Sequence, residues 1–299
     1  MSANANAIKT ADIVAARKID FVTRFDHNWE ALQTALGVSN PVRKAPGVDV
    51  YTKTCTGTLA DATQIAEGDI IPRSKFTVTE TKIGNMDVLK YSKEVTIEAI
   101  KDHGYENAVQ VTDEEFLYQL QDVATSAFYA FANNGSLHPA GTFSTFQMAM
   151  AMAKGAVIEK FKTLHRNITD VVAFVNALDV YEYLGTAPIT VQNAFGFNYV
   201  SDFMGYKTVV LLSGNEVNRG RVIATPSANI NVYYVDPADS DFAKAGLEYT
   251  VSGDSNLIGY AIKGDYDRAT SVSYAIMGIK MFAEYQDGIA VIDVGQTYA

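Results

Sequence analysis

One segment constrains the fold more than any other. Across 112–134, Phe116, Leu120, Val123, Ala127 and Phe131 recur at helical spacing and form one apolar stripe. Thr112 and Glu115 have the spacing of a capping box, in which two side chains satisfy two orphan backbone N–H groups, and Gly135 supplies the stop. At about 1.5 Å per residue such a helix is a rod about 33 Å long, as long as a small domain is wide.

Two more helices are predicted around it. The run 143–164 places Phe143, Phe146, Met150, Val157, Phe161 and Leu164 on one face. Its Met148, Met150 and Met152 alternate, and alternate residues diverge on a helix, so gap filling is their expected role. Nearer the N-terminus Val22, Phe25, Trp29, Leu32 and Leu36 step by threes and fours until Gly37 and Pro41 end the pattern. Trp29, the only tryptophan, reads as a core anchor, and residues 1–10, small and polar, read as a flexible arm.

Strands are predicted at 48–57, 74–82 and 86–98, where Leu89, Tyr91, Val95 and Ile97 alternate with polar residues. The connection 57–72 is long for a hairpin, and loops of that length are functional or disordered. It carries Ile65, Ile70 and Ile71, which a solvated loop would not favour. Beyond 170 come a strand at 170–175, a short helix capped by Asp179, and strands at 207–212, 221–225 and 229–235. A closing meander follows at 271–277, 279–284 and 289–294, its last two strands joined at the hairpin dipeptide Asp287-Gly288. The class is α+β.

Composition excludes several functions. With 34 acidic against 24 basic residues the net charge is −10, and Arg17-Lys18 and Arg43-Lys44 are isolated pairs. A chain that grips nucleic acid concentrates Lys and Arg to neutralise phosphates, so direct readout is not expected. Cys55 stands alone, which rules out an intrachain disulfide and a cysteine metal site. No apolar run approaches the ~20 residues that span a bilayer, and the N-terminus lacks a signal-type apolar region, so a soluble cytoplasmic product is expected.

Catalytic patterns are weak. His27, His103, His138 and His165 are scattered, and His165 suits the negative end of a helix dipole. Glu114-Glu115 suit a helix N-terminus. Gly253-Asp254-Ser255 starts like a nucleophile elbow, but Leu257 replaces the second glycine. Asp236, Asp239 and Asp241 resemble a calcium loop that lacks its glycine and closing glutamate. Neither an enzyme nor a cofactor is expected.

Taken in order, these segments resemble the major capsid proteins of tailed bacteriophages, of the Hong Kong 97 type. AEGDIIPRSKFTVTETKIGNMDVLKYSKEVTIEAIKDHGYENAVQVTDEEFLYQLQ, residues 66–121, is similar to the extended loop, return strand and start of the spine helix. FGFNYVSDFMGYKTVVLLSGNEVNRGRVIATPSANINVYYVDP, residues 195–237, resembles the axial domain of capsid proteins from phages of Gram-positive bacteria. IMGIKMFAEYQDGIAVIDV, residues 276–294, is similar to the closing strands of the peripheral domain.

The resemblance implies an N-terminal arm with an amphipathic helix (1–47), an extended β-hairpin loop (48–85) and a peripheral domain (86–142) with spine helix 112–134. A mainly axial region (143–252) and a return to peripheral strands (253–299) complete it. It further implies hexamers and pentamers closing an icosahedral head around double-stranded DNA that is enclosed without specific binding. The expected place is the virion, after synthesis in the host bacterial cytoplasm, with no membrane partner. A portal and a scaffolding protein are the implied assembly partners; Met1 favours a separate scaffold over a cleaved fused segment. The loop has no lysine between Cys55 and Pro72, so a loop crosslink is not expected. An encapsulin-like nanocompartment is the alternative of the same fold. The expected subunit contacts are Ile65, Glu67, Gly68, Ile70, Ile71 and Pro72 in the loop, and Val22, Phe25 and Trp29 in the arm.

Overall fold

The structure, a computed structural model, describes residues 10–38, 41–61, 65, 70–168, 170–185, 190–194, 197–251 and 256–298. Its first element is α1 (Thr10–Leu36), followed by β1 (Val42–Lys44), β2 (Asp49–Thr58), β3 (Lys75–Asn85) and β4 (Leu89–Thr96). Next come α2 (Ile97–Tyr105), a π-helical turn (Glu106–Gln110), α3 (Val111–Asn133), β5 (Gly141–Thr142), α4 (Phe146–Thr163), β6 (Val171–Asn176) and α5 (Ala177–Leu184). The remainder is β7 (Gln192–Ala194), β8 (Phe197–Phe203), β9 (Tyr206–Leu212), β10 (Arg221–Pro226), β11 (Ile230–Val235) and α6 (Ser240–Lys244). It closes with β12 (Ile258–Asp265), β13 (Thr270–Met277), β14 (Ile279–Ala283), β15 (Ala290–Asp293) and β16 (Thr297–Tyr298).

A six-stranded sheet in the order β15-β10-β6-β9-β8-β7 organises the core. Side chains alternate across a strand, and β6 shows the consequence. Val172 and Phe174 pack with Phe21, Trp29, Leu117 and Leu120 of α1 and α3, while Val171, Ala173 and Val175 pack with Met150, Val157 and Phe161 of α4. A strand buried on both faces reads as a continuous apolar run, which is why VVAFV carries no polar alternation.

The helix pattern in the arm is observed, but its cover is not a neighbour. Val22, Phe25 and Trp29 are 0%, 0% and 1% exposed within one chain, because α1 lies between α3 and the sheet β12-β13-β4. Those side chains have no surface left for another subunit. The helix also begins at Thr10, earlier than the apolar pattern, through a stretch in which Ala11, Ala15, Ala16, Arg17 and Lys18 are good helix formers.

Four local expectations are corrected. Thr112 does not cap α3: after a break at Gly104 (φ 78°, ψ 160°) the chain is already helical from Tyr105, and the Thr112 hydroxyl donates back to the carbonyls of Ala108 (2.9 Å) and Val109 (3.0 Å). Glu114 and Glu115 therefore do not sit at a helix start. Thr96 instead caps the short helix α2, accepting from Ala99 N (3.2 Å) and so ending strand β4 before Ile97. Asn176, not Asp179, caps α5 by accepting from Leu178 N (3.0 Å); Asp179 is buried and accepts from Arg219 Nε (2.9 Å) and Gly220 N (2.6 Å). Thr145 caps α4, leaving Phe143 ahead of the helix though still in the core.

The closing meander does not form. β14 pairs with β11, β15 pairs with β10 in the central sheet, and β13 pairs with β12 and β4. Asp287-Gly288 lies in a 3₁₀ turn that carries the chain between two sheets, because Ile289–Ile292 is apolar enough to be drawn into the central core. Segment 253–299 thus divides among several sheets instead of returning as one unit to peripheral strands.

Among the described residues five outside the glycine class adopt left-handed backbone: His165, Asp202, Met204, Asn256 and Ala269. His165 (φ 55°) follows the end of α4, its backbone N–H reaching Lys162 O at 2.9 Å, as a helix stop does. Ala269 (φ 52°) is exposed at the β12–β13 turn. A Cβ in that region costs energy that asparagine offsets. Ala269→Asn is expected to raise stability by about 0.5–1 kcal/mol, read from the denaturant midpoint.

Candidate assembly surfaces

Among the described residues β2 and β3 bond to each other and to no other strand, so they form a two-stranded ribbon. Its base is fixed: Val50 and Met86 are buried with Val235 and Phe282, and the Thr52 hydroxyl donates to Glu284 O at 3.0 Å. The register pairs Tyr51 with Lys82, Lys53 with Glu80, Cys55 with Val78 and Gly57 with Phe76. Residues opposite one another share a face, so these eight form one side. Gly57 is required there, since a Cβ would meet the Phe76 ring at 2.5 Å. The other side carries Thr52, Thr56, Thr58, Thr77, Thr79 and Thr81. The ribbon has a mixed apolar and ion-paired face, with Lys53–Glu80 at 2.8 Å, and a threonine face.

At its far end the loop leaves apolar residues uncovered. Ile70 is 94% and Ile71 70% exposed, and Pro72, Phe76 and Val78 are also exposed. Ile65 is half-buried, and Glu67 and Gly68 lie outside the described residues. The structure therefore brings Ile70, Ile71 and Pro72 onto one projecting element and places Val22, Phe25 and Trp29 elsewhere, inside the chain.

Sequence reasoning missed a second uncovered surface. α3 buries Leu117, Leu120 and Ala124 but leaves Val111 and Tyr118 exposed beside Glu115 and Asp122. The seven-residue spacing of Val111 and Tyr118 was the available signal. The side chains of Ala127 and Phe131 lie outside the described residues. α5 likewise exposes Leu178 and Tyr181.

One buried charge network holds α3 to its surroundings. Asp113 accepts from Arg17 of α1 through both oxygens, from Lys93 of β4 (2.5 Å) and from Tyr260 of β12 (3.3 Å). Lys93 also donates to Thr112 (2.8 Å), and Arg17 to Ser273 of β13 (3.3 Å). Burial alone would push the Asp113 carboxyl up, but hydrogen bonds and charge from Arg17 and Lys93 outweigh it and hold it below the ordinary carboxylate range. Burial lowers Lys93 and pushes the Tyr260 phenol up to about 12.

The other candidate groups have structural partners. His138 stacks on Tyr298 at 4.9 Å, and its Nδ1 lies 2.7 Å from Val291 O. Asp236 and Asp239 both face Arg43, at 3.3 and 2.9 Å, and each also accepts a backbone N–H, from Ala238 and Asp241 respectively. Those acceptors explain the acidic spacing. Gly253, Asp254 and Ser255 lie outside the described residues. Among the described residues no cluster of three His, Cys, Asp or Glu side chains could hold a metal, and no helix is long and apolar enough to cross a membrane.

No protein family and no curated protein matches the chain by sequence. Solved structures do match its fold. The capsid of a native GTA particle superimposes with TM-score 0.55 at 8% identity, covering 88% of this chain and 91% of that one. The cyanophage A-1(L) capsid asymmetric unit gives 0.52 at 11% identity, covering 88% and 92%. A chain of Mycobacterium phage Patience gives 0.52 at 8% identity, covering 99% and 91%. This chain has their mixed helix-and-sheet fold, the capsid fold of the Hong Kong 97 type.

Proposed function

We propose that the chain is the major capsid subunit of a tailed bacteriophage, one that assembles as hexamers and pentamers into an icosahedral head around double-stranded DNA. The observation that carries this reading is the fold, matched over nearly nine-tenths of the chain to capsid subunits. A projecting ribbon with uncovered isoleucines supports it, since monomeric proteins rarely leave such a cluster in water. The likeness of 195–237 to capsid proteins of phages of Gram-positive bacteria favours such a host.

In this reading the division runs 1–47, 48–85, 86–142, 143–252 and 253–299, with the last segment shared among sheets. The ribbon lies over a neighbouring subunit, which covers Ile65, Glu67, Gly68, Ile70, Ile71 and Pro72. The face with Phe76, Val78, Cys55 and Tyr51 turns toward that neighbour, and the threonine face turns to water. A scaffolding protein and a portal act during assembly in the host cytoplasm, and the finished shell is the virion wall.

Net charge −10 fits a wall that encloses DNA without gripping it. Sedimentation velocity tests the assignment: the purified protein is expected to yield megadalton particles, and the dissociated subunit to leave duplex DNA unshifted at about 150 mM salt. A subunit that stays monomeric with scaffold present, or that shifts DNA at submicromolar concentration, contradicts it.

A further inference from the structure

Upstream of Phe21, α1 has a different relation to the protein than downstream of it. From Phe21 to Leu36 the helix is anchored in the core through six large apolar side chains. Among the described side chains before Phe21, Ile19 and Asp20 are exposed, Lys18 is half-buried, and Arg17 is the one drawn in, at 14% exposure. Arg17 reaches Asp113 through two guanidinium nitrogens. We infer that the Arg17–Asp113 pair is an acid-sensitive latch, which holds the N-terminal turns of α1 against α3 and releases them when Asp113 takes a proton.

The geometry supplies both parts of a switch. Among the described residues Asp113 is the only carboxylate within hydrogen-bonding distance of Arg17, so one protonation removes the charge that Arg17 answers. Lys93 of β4 faces the same carboxylate from the other side, and a neutral Asp113 leaves two cations facing each other in a partly buried site. The remaining groups around the pair are Thr112 on α3, Tyr260 on β12, Ser273 on β13 and Tyr105 on α2. None of them supplies a substitute negative charge at acid or neutral pH. Glu114, beside the pair in sequence, is engaged by Arg24 at 3.5 Å. A cleft of about 470 Å³ lined by Arg17, Asp20, Phe21, Arg24, Tyr105, Gln110, Asp113 and Glu114 gives water and protons access.

The direction of the pH effect follows from the carboxyl being held low. A group depressed in the latched state contributes closure that is fully present above its free value of about 3.9, and that is lost as pH falls through the lower latched value. Release therefore begins below about pH 4. The π-helical turn Glu106–Gln110 borders the same cleft, through Gln110, so the backbone is irregular just before α3 begins.

Hydrogen exchange of the full-length subunit, resolved along α1, tests the latch. In the wild type, amides of residues 10–19 are expected to be protected at neutral pH and to lose protection below about pH 4, after correction for intrinsic rates and before those of 21–36 do. Arg17→Met removes the helix side of the latch and leaves Lys93 and Asp113 paired, so the fold is retained. Its residues 10–19 should exchange about tenfold faster or more at neutral pH, with no further acid transition. Asp113→Asn should do the same; if it fails to fold, the arginine variant decides. Equal protection of 10–19 in wild type and Arg17→Met, or loss of 10–19 and 21–36 together, overturns the latch.

Discussion

Removal of residues 1–37 is expected to abolish the cooperative melt of the subunit. α1 contributes Phe21, Val22, Phe25, Trp29, Leu32 and Leu36 to a core shared with α3 and the central sheet. Burying one such side chain is worth about 1.5–3 kcal/mol, so the six together stabilise the fold by roughly 10 kcal/mol or more. Net stability of a domain is about 5–15 kcal/mol, and the uncovered faces of α3 and the sheet would add to the loss. Circular dichroism with temperature reads this directly. A truncated chain that melts cooperatively within a few degrees of the intact one would mean that α1 is an accessory arm after all.

The second large effect separates fold from assembly. Ile71→Asp changes a residue that is 70% exposed in the single chain, where surface substitutions are worth about 0.5 kcal/mol or less. The subunit should therefore keep its melting midpoint within a few degrees. In a shell where a neighbour covers Ile71, the same change forfeits the burial of an isoleucine and adds the cost of burying a carboxylate. That cost recurs at every equivalent contact, so particle yield should collapse. A full yield of shells from Ile71→Asp removes the loop from the interface.

How much of this was legible depends on what each signal encodes. Periodicity located α1, α3 and α4 because a buried stripe must repeat with the helix. It could say that Val22, Phe25 and Trp29 need cover, but not whose, and the cover proved to be their own chain. The ribbon was readable from the strands predicted at 48–57 and 74–82, and its exposed isoleucines from their place in a long connection. Local turn chemistry misled at Thr112 and at Asp287-Gly288. At Thr112 the helix had already begun upstream, and at Asp287-Gly288 the central sheet draws in β15. The strand β12, and the charge network on Asp113 that its Tyr260 joins, have no local signature at all. Arg17, Lys93 and Asp113 are far apart in sequence, and each alone reads as an ordinary surface charge.

Cryo-electron microscopy of the protein, expressed alone and then with its scaffolding protein, tests the central claim most directly. The account predicts closed icosahedral shells with fivefold and sixfold clusters of this chain, and the β2–β3 ribbon of each subunit lying across a neighbour with Ile70 and Ile71 covered. Dispersed monomers under both conditions, or particles in which the ribbon tips stand free in solvent, would contradict it.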